Sequence, residues 1–131
     1  MSRNRYPFLL VILFFTAWAL APADAAEWKP FNQEAFSAAK KEGKPILVDV
    51  FAAWCPVCRA QNPILTQLTR EPKFKDMVVF KLDFDTQKDD LRALNAQSQS
   101  TLIVFKGETE KGRTVGDTNP ASIEALLDSA L

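Results

Sequence analysis

The sequence predicts an α/β domain with a parallel sheet core and an antiparallel edge, and three observations carry that reading. Two runs, Ile46 to Ala53 ("ILVDVFAA") and Met77 to Phe84 ("MVVFKLDF"), are nearly continuous apolar stretches rich in β-branched residues, as expected of strands buried on both faces. Helical segments with recognisable caps alternate with these strands, the order that builds a parallel sheet. Near the C-terminus, "TLIVFKG" and "RTVGD" flank a loop from Glu108 to Gly112, with Gly107 and Gly112 at its edges, and read as an antiparallel hairpin.

Taken in order, the 131-residue chain opens with a leader. Arg3 and Arg5 precede an uncharged apolar run from Phe8 to Ala21, about 14 residues, which suits a signal peptide and falls short of a bilayer span. Ala23 and Ala25 supply the small residues of a cleavage site, so residues 1–25 read as a signal peptide and 26–131 as the domain. Export to the periplasm is the implied destination. An uncleaved anchor reaching Ala26 is the alternative.

The first helix lies in "FNQEAFSAAKKEGKP": Asn32 caps it, Phe31 and Phe36 form a hydrophobic staple, and Gly43 with Pro45 ends it. After the first strand a second helix starts at the cysteines and runs to about Thr69, with Pro63 expected to kink it. "KDDLRALNAQ" is a short amphipathic helix after the second strand. The last helix opens at Asn119 as cap, with Pro120 in its first turn.

The chain carries 16 basic and 16 acidic side chains, and losing Arg3, Arg5 and Asp24 with the leader barely alters that balance. There is no basic stripe with interleaved aromatics, which argues against a nucleic-acid surface.

The two cysteines, Cys55 and Cys58 in "AAWCPVCRAQNP", leave three possibilities: a redox couple, a metal clip or a static staple. An ordinary structural zinc site wants four Cys or His ligands, and the chain has two cysteines and no histidine. A copper shuttle would want further soft ligands, of which the domain keeps Met77. A staple closing so short a loop restrains the unfolded chain little. A redox couple suits the spacing, since residues i and i+3 on a first helical turn bring two sulfurs within bonding reach. With Cys55 at the N-cap and Pro56 after it, free N–H groups and the helix dipole favour a Cys55 thiolate. Cys55 is then the nucleophile, and Cys58, one turn in and covered, the resolving thiol.

Asp49 and Lys81 interrupt the two apolar strands. A lone buried carboxylate would be costly, and its pKa should rise. If the strands are neighbours, an Asp49–Lys81 pair beneath the cysteines can pass a proton to and from Cys58. Alternatively, each points outward at a strand end.

These residues together resemble the thioredoxin family over essentially the whole domain. "KPILVDVFAAWCPVC" is similar to its strand-to-active-site segment, with Trp54 before the first cysteine, Asp49 at its buried acid and Pro63 at its helix-kinking proline. "VVFKLDFD" resembles the next strand with its buried Lys81, and "STLIVFKG" with "VGD" the closing hairpin, Gly116 at a familiar glycine. The resemblance implies a thioredoxin-like fold, a mixed sheet of four or five strands flanked by helices. It also implies thiol–disulfide exchange without a bound cofactor, the Cys55–Cys58 disulfide being the redox group. Protein disulfides or thiols are the implied substrates and a membrane-bound electron donor the implied partner, as in exported bacterial members.

Two departures bear on direction and substrate. The dipeptide is Pro56-Val57; a histidine there, as in strongly oxidising relatives, would stabilise the thiolate, and Val57 cannot. Cys55 is therefore expected to have a moderately lowered pKa, and the protein to lean towards reduction. At the family's cis-proline, where adjoining backbone pairs with substrate, this chain has Ser100. A non-proline cis bond costs about 2.5–4 kcal/mol, so the Gln99–Ser100 bond is expected to be trans. Ser100 then either donates a hydrogen bond to the Cys55 thiolate or is an ordinary loop serine. Trp54, Pro56, Val57, Gln99, Ser100 and Thr101 form the expected substrate wall, and Trp28 with Trp54 would flank it. The competing functions are a non-catalytic module that holds a partner or a metal through the cysteines, including a metal bridged between two copies, and a domain whose disulfide never opens.

Overall fold

The computed structural model describes residues 25–131; the expected signal peptide, up to residue 24, lies outside the described residues. The element order is β1 (Glu27–Pro30), α1 (Gln33–Lys41), β2 (Pro45–Phe51), α2 (Pro56–Leu68), a 3-10 turn (Pro72–Phe74), β3 (Val78–Asp83), α3 (Lys88–Ala93), β4 (Thr101–Lys106), β5 (Thr109–Val115) and α4 (Pro120–Asp128). The strands form one mixed sheet in the order β1-β3-β2-β4-β5. β3 runs parallel to both β1 and β2, while β4 is antiparallel to β2 and to β5.

The caps act as the sequence requires. The Asn32 side chain accepts from the Ala35 N–H at 2.9 Å, and the Phe31 and Phe36 rings lie 5.3 Å apart across the first turn. Asn119 accepts from the N–H groups of Ala121 and Ser122. Pro63 sits within an α2 that runs without a break to Leu68.

Strand alternation divides the core into two layers. Ile46, Val48 and Val50 of β2, with Val78, Phe80 and Leu82 of β3, face Phe36 and Ala39 of α1 and Leu91 of α3. Leu47 and Val79 face the other way, onto Leu65 and Leu68 of α2 and Ile123 and Leu127 of α4. The parity that sends Leu47 and Val79 to the α2 side sends Asp49 and Lys81 there too. The helix carrying the cysteines therefore lies over the strand positions that carry the two charges.

Two features differ from the sequence reading. β1 was not expected: "EWKP" is short, charged and ends in proline, which suits an edge strand that pairs on one side and shows no apolar alternation. The hairpin is tighter than the predicted Glu108–Gly112 loop. Its turn is Gly107-Glu108, and Gly112 lies inside β5 opposite Val104, next to a register shift. Gly107 adopts φ +55°, and a Cβ there would come within 3.2 Å of the Gly43 backbone, so the turn needs a glycine.

Candidate active site

β2 ends at Phe51 and the chain turns through Ala52–Trp54 into the N-cap of α2. Cys55 holds that cap position with extended backbone, and its Sγ accepts a hydrogen bond from the Cys58 N–H at 3.1 Å. The two cysteines form a disulfide, their Cα atoms 5.3 Å apart. Pro56 occupies the first turn, where its missing N–H leaves no helical bond unmade. Cys58 is buried as expected, and Cys55 is the more enclosed of the two, at 1 % exposure against 9 %. Ala52 packs with both, and Phe51 and Phe84 close in from the side.

Beneath the disulfide the sheet brings Asp49 and Lys81 into register on adjacent parallel strands. Lys81 Nζ donates to Asp49 Oδ2 at 2.7 Å. Asp49 is 3 % exposed, and burial pushes its carboxyl above the ordinary 3.8, opposed in part by the charge and hydrogen bond of Lys81. Lys81 reaches outward past the Phe51 ring, 4.5 Å from its centroid, a cation–π contact. A cleft of about 400 Å³ is lined by Phe51, Cys58, Arg59 and Lys81, so the ammonium and the resolving cysteine border one space. The outward-pointing alternative for these two charges is thereby removed.

The outer rim holds the expected Trp54, 54 % exposed, and Val57, also exposed. Trp54 is not loose: its Nε1–H donates to Asp85 Oδ2 at 2.9 Å, and the turn presenting Asp85 is fixed by Asp83 Oδ1, which accepts from the Asp85 N–H. Trp28 does not flank this rim. It lies in β1, half-buried, with Nε1–H bonded to Thr69 Oγ1 at 3.0 Å, because the unforeseen edge strand carries it to the α2 layer.

On the far side, Thr101 pairs with Val50, which places Ser98–Ser100 at the sheet end that leads to the cysteines. No cis peptide occurs among the described residues, so Gln99–Ser100 is trans. Ser100 instead takes φ +56°, a left-handed conformation costing a side-chain-bearing residue about 1–2 kcal/mol. With Cys55 in the disulfide, the Ser100 hydroxyl is engaged elsewhere. It donates to the Gln99 carbonyl at 2.6 Å, as does the Ser98 hydroxyl at 3.0 Å, while the Thr101 hydroxyl bonds the Ser98 carbonyl. These hydroxyls are occupied in shaping the loop.

Three site neighbours escaped the sequence reading. Asp85 sits in an acid-rich turn where one more aspartate carries no signal. Arg59 hooks back to the Ala53 carbonyl at 3.4 Å and brings a positive charge to the cysteine turn. Gln61, one turn beyond Cys58, is buried and bonds the carbonyls of Ser100 and Asp117. A glutamine in a helix reads as solvent-facing unless its place on the buried stripe is counted.

The comparisons with known proteins agree with this geometry. A thioredoxin family model matches residues 27–129. A Brassica campestris protein described as "Thioredoxin H-type" is 37 % identical over 90 residues, 69 % of this chain and 71 % of its own. A thioredoxin of Mycobacterium bovis is 38 % identical over 80 residues, 61 % of this chain and 68 % of its own. Among solved structures, Trxlp from Edwardsiella tarda EIB202 superposes with a TM-score of 0.76 at 42 % identity, covering 77 % of this chain and 98 % of that one. An α/β domain with a disulfide at the N-cap of its second helix defines a thiol–disulfide oxidoreductase, and this chain belongs to the thioredoxin family. Its chemistry needs no cofactor, the redox group being the chain's own disulfide, and its substrates are protein disulfides.

Proposed function

We propose that the protein is an exported reductase of protein disulfides. The observation that carries the direction is the uncharged Pro56-Val57 dipeptide between the cysteines. Among the described residues the Cys55 sulfur accepts one hydrogen bond, from the Cys58 N–H, and the nearby Arg59 guanidinium is turned onto the Ala53 carbonyl. Strong oxidants of this chemistry depend on an unusually stabilised reduced form, and that device is lacking in the dipeptide.

In the reduced protein the Cys55 thiolate attacks one sulfur of a substrate disulfide. A mixed disulfide forms and the first substrate thiolate leaves. Cys58 then gives up its proton, with the Asp49 carboxylate as the base beside Lys81, and attacks Cys55 Sγ. The Cys55–Cys58 bond closes, the second substrate sulfur leaves as a thiolate and takes up a proton, and two electrons have passed to the substrate. Burial suits Asp49 to this task by raising its proton affinity towards the working range, while Lys81 keeps the ionised form tolerable. Trp54, Pro56, Val57, Gln99, Ser100 and Thr101 form the wall on which the substrate chain rests. A dithiol of a membrane-bound donor returns the two electrons.

Export is supported by the composition of residues 1–25, with Arg3 and Arg5 before an uncharged apolar run and small residues at Ala23 and Ala25. A periplasmic extract should yield a chain starting at Ala26; an uncut chain confined to the cytosol would contradict export.

The exchange itself is tested with single-cysteine variants. Cys58→Ser should accumulate a mixed disulfide through Cys55, and Cys55→Ser should abolish reduction of insulin. A Cys55→Ser variant as active as the parent would refute the assignment.

A further inference from the structure

We propose that Gln61 is a positioning residue for substrate specificity: from the helix that carries the cysteines it grips two loop carbonyls and so fixes the wall on which a protein substrate docks. The proposal deepens the oxidoreductase reading and rests on it.

The buried positions of α2 are Cys58, Gln61, Leu65 and Leu68, a stripe at helical spacing with Gln61 its one amide. Gln61 is 1 % exposed. Its Nε2 donates to the Ser100 carbonyl at 3.3 Å and to the Asp117 carbonyl at 2.8 Å. Two carbonyl acceptors settle which end of the amide is the NH2 group, and Oε1 is left buried without a partner among the described residues. An amide with an unmet acceptor is a costly choice on an apolar stripe. What the amide achieves is placement.

The two carbonyls it holds belong to the segments framing the disulfide end of the sheet. Ser100 leads into β4 beside Val50 of β2, and Asp117 follows β5. The segments also meet directly, since the Gly116 N–H donates to the same Ser100 carbonyl at 2.9 Å. The carbonyl so gripped is that of Ser100, whose own backbone is left-handed. Around it Ser98 and Gln99 are half-buried and Val115 is 60 % exposed, so a docking chain meets this loop's backbone and the β5 end together. Without Gln61 the loop keeps its own hydroxyl bonds and its tie to Gly116 but is no longer referenced to the cysteine helix. A large substrate must contact both at once, whereas a small disulfide needs only the sulfur.

The test compares Gln61→Leu and Gln61→Met with the parent on insulin and on the small disulfide 5,5′-dithiobis(2-nitrobenzoate), together with the equilibrium constant of the cysteine pair against glutathione. Methionine follows the same path through the interior, so it keeps the test open if leucine disturbs folding. The expected result is a KM for insulin raised about five- to tenfold as the loop loses its two amide hydrogen bonds, with kcat, small-disulfide kinetics and the glutathione equilibrium altered less than about twofold. An unchanged KM for insulin would overturn the proposal. So would an equal loss on both substrates with a shifted glutathione equilibrium, which would place the effect on the cysteines. A parent inactive on both substrates would sink the oxidoreductase reading itself, a different outcome from an active parent whose variants match it.

Discussion

The disulfide lies between two unlike regions. Below it are Asp49, Lys81 and Phe51, a charged pair set in the apolar strands whose lysine borders a cleft at Cys58. Beside it are Ser100, Gln61 and Asp117, uncharged at the points of contact and joined through backbone carbonyls. The first region can store and move a proton; the second can hold a shape. Thiol–disulfide exchange needs both, because the resolving thiol must lose a proton and the substrate sulfur must arrive in line. On the proposed reading, dividing the tasks would let substrate selection vary without disturbing the proton chemistry.

The largest expected effect separates the two regions by pH. Asp49→Asn should slow the resolving step about a hundredfold, the low end of what a positioned acid–base group contributes. In the parent the rate should climb as pH rises through the elevated pKa of Asp49, and in the variant that limb should vanish; stopped-flow tryptophan fluorescence follows it. Stability moves the other way. Asp49 binds its proton more tightly folded than unfolded, so its contribution to folding is full below about 3.8 and fades as pH rises through the native value. The oxidised Asn variant should therefore be more stable than the parent at pH 8, with the advantage shrinking towards pH 4, as chemical denaturation would show.

A several-fold effect is expected from Lys81→Met. Losing the ammonium removes what holds the Asp49 pKa down, so the rate profile should shift to higher pH and activity at pH 7 should fall. Stability at pH 8 should drop by about 1–2 kcal/mol, moderated because Lys81 is partly exposed. A profile that stays in place would break the link between Lys81 and the proton.

The smallest effect belongs to the rim. Trp54→Phe loses the bond to Asp85 and should raise the KM for insulin about twofold, with the pH profile unmoved. A shifted profile would mean the rim and the charged pair are not separate.

The two regions also differed in how far they could be read from sequence. Asp49 and Lys81 were legible because a charge inside an apolar β run breaks a pattern, and a buried charge demands a partner. The cysteine turn was legible because the i, i+3 spacing, Pro56 and the helix start agree. Ser100 could be placed but not oriented: whether its hydroxyl faced Cys55 or its own loop depends on the φ of +56°, which sequence does not reveal. Gln61 and Asp85 were silent, being polar residues in a helix and a turn where polar residues are ordinary. β1 escaped for a related reason, since an edge strand of four residues buries too little to need alternation.

The most direct test of the central claim, that this is a reductase, is the reduction potential of the Cys55–Cys58 couple, read by equilibration with glutathione or dithiothreitol. The uncharged Pro56-Val57 dipeptide predicts a value near that of thioredoxin, about −270 mV or lower. A value between about −180 and −120 mV would make the protein an isomerase or an oxidant and contradict the account.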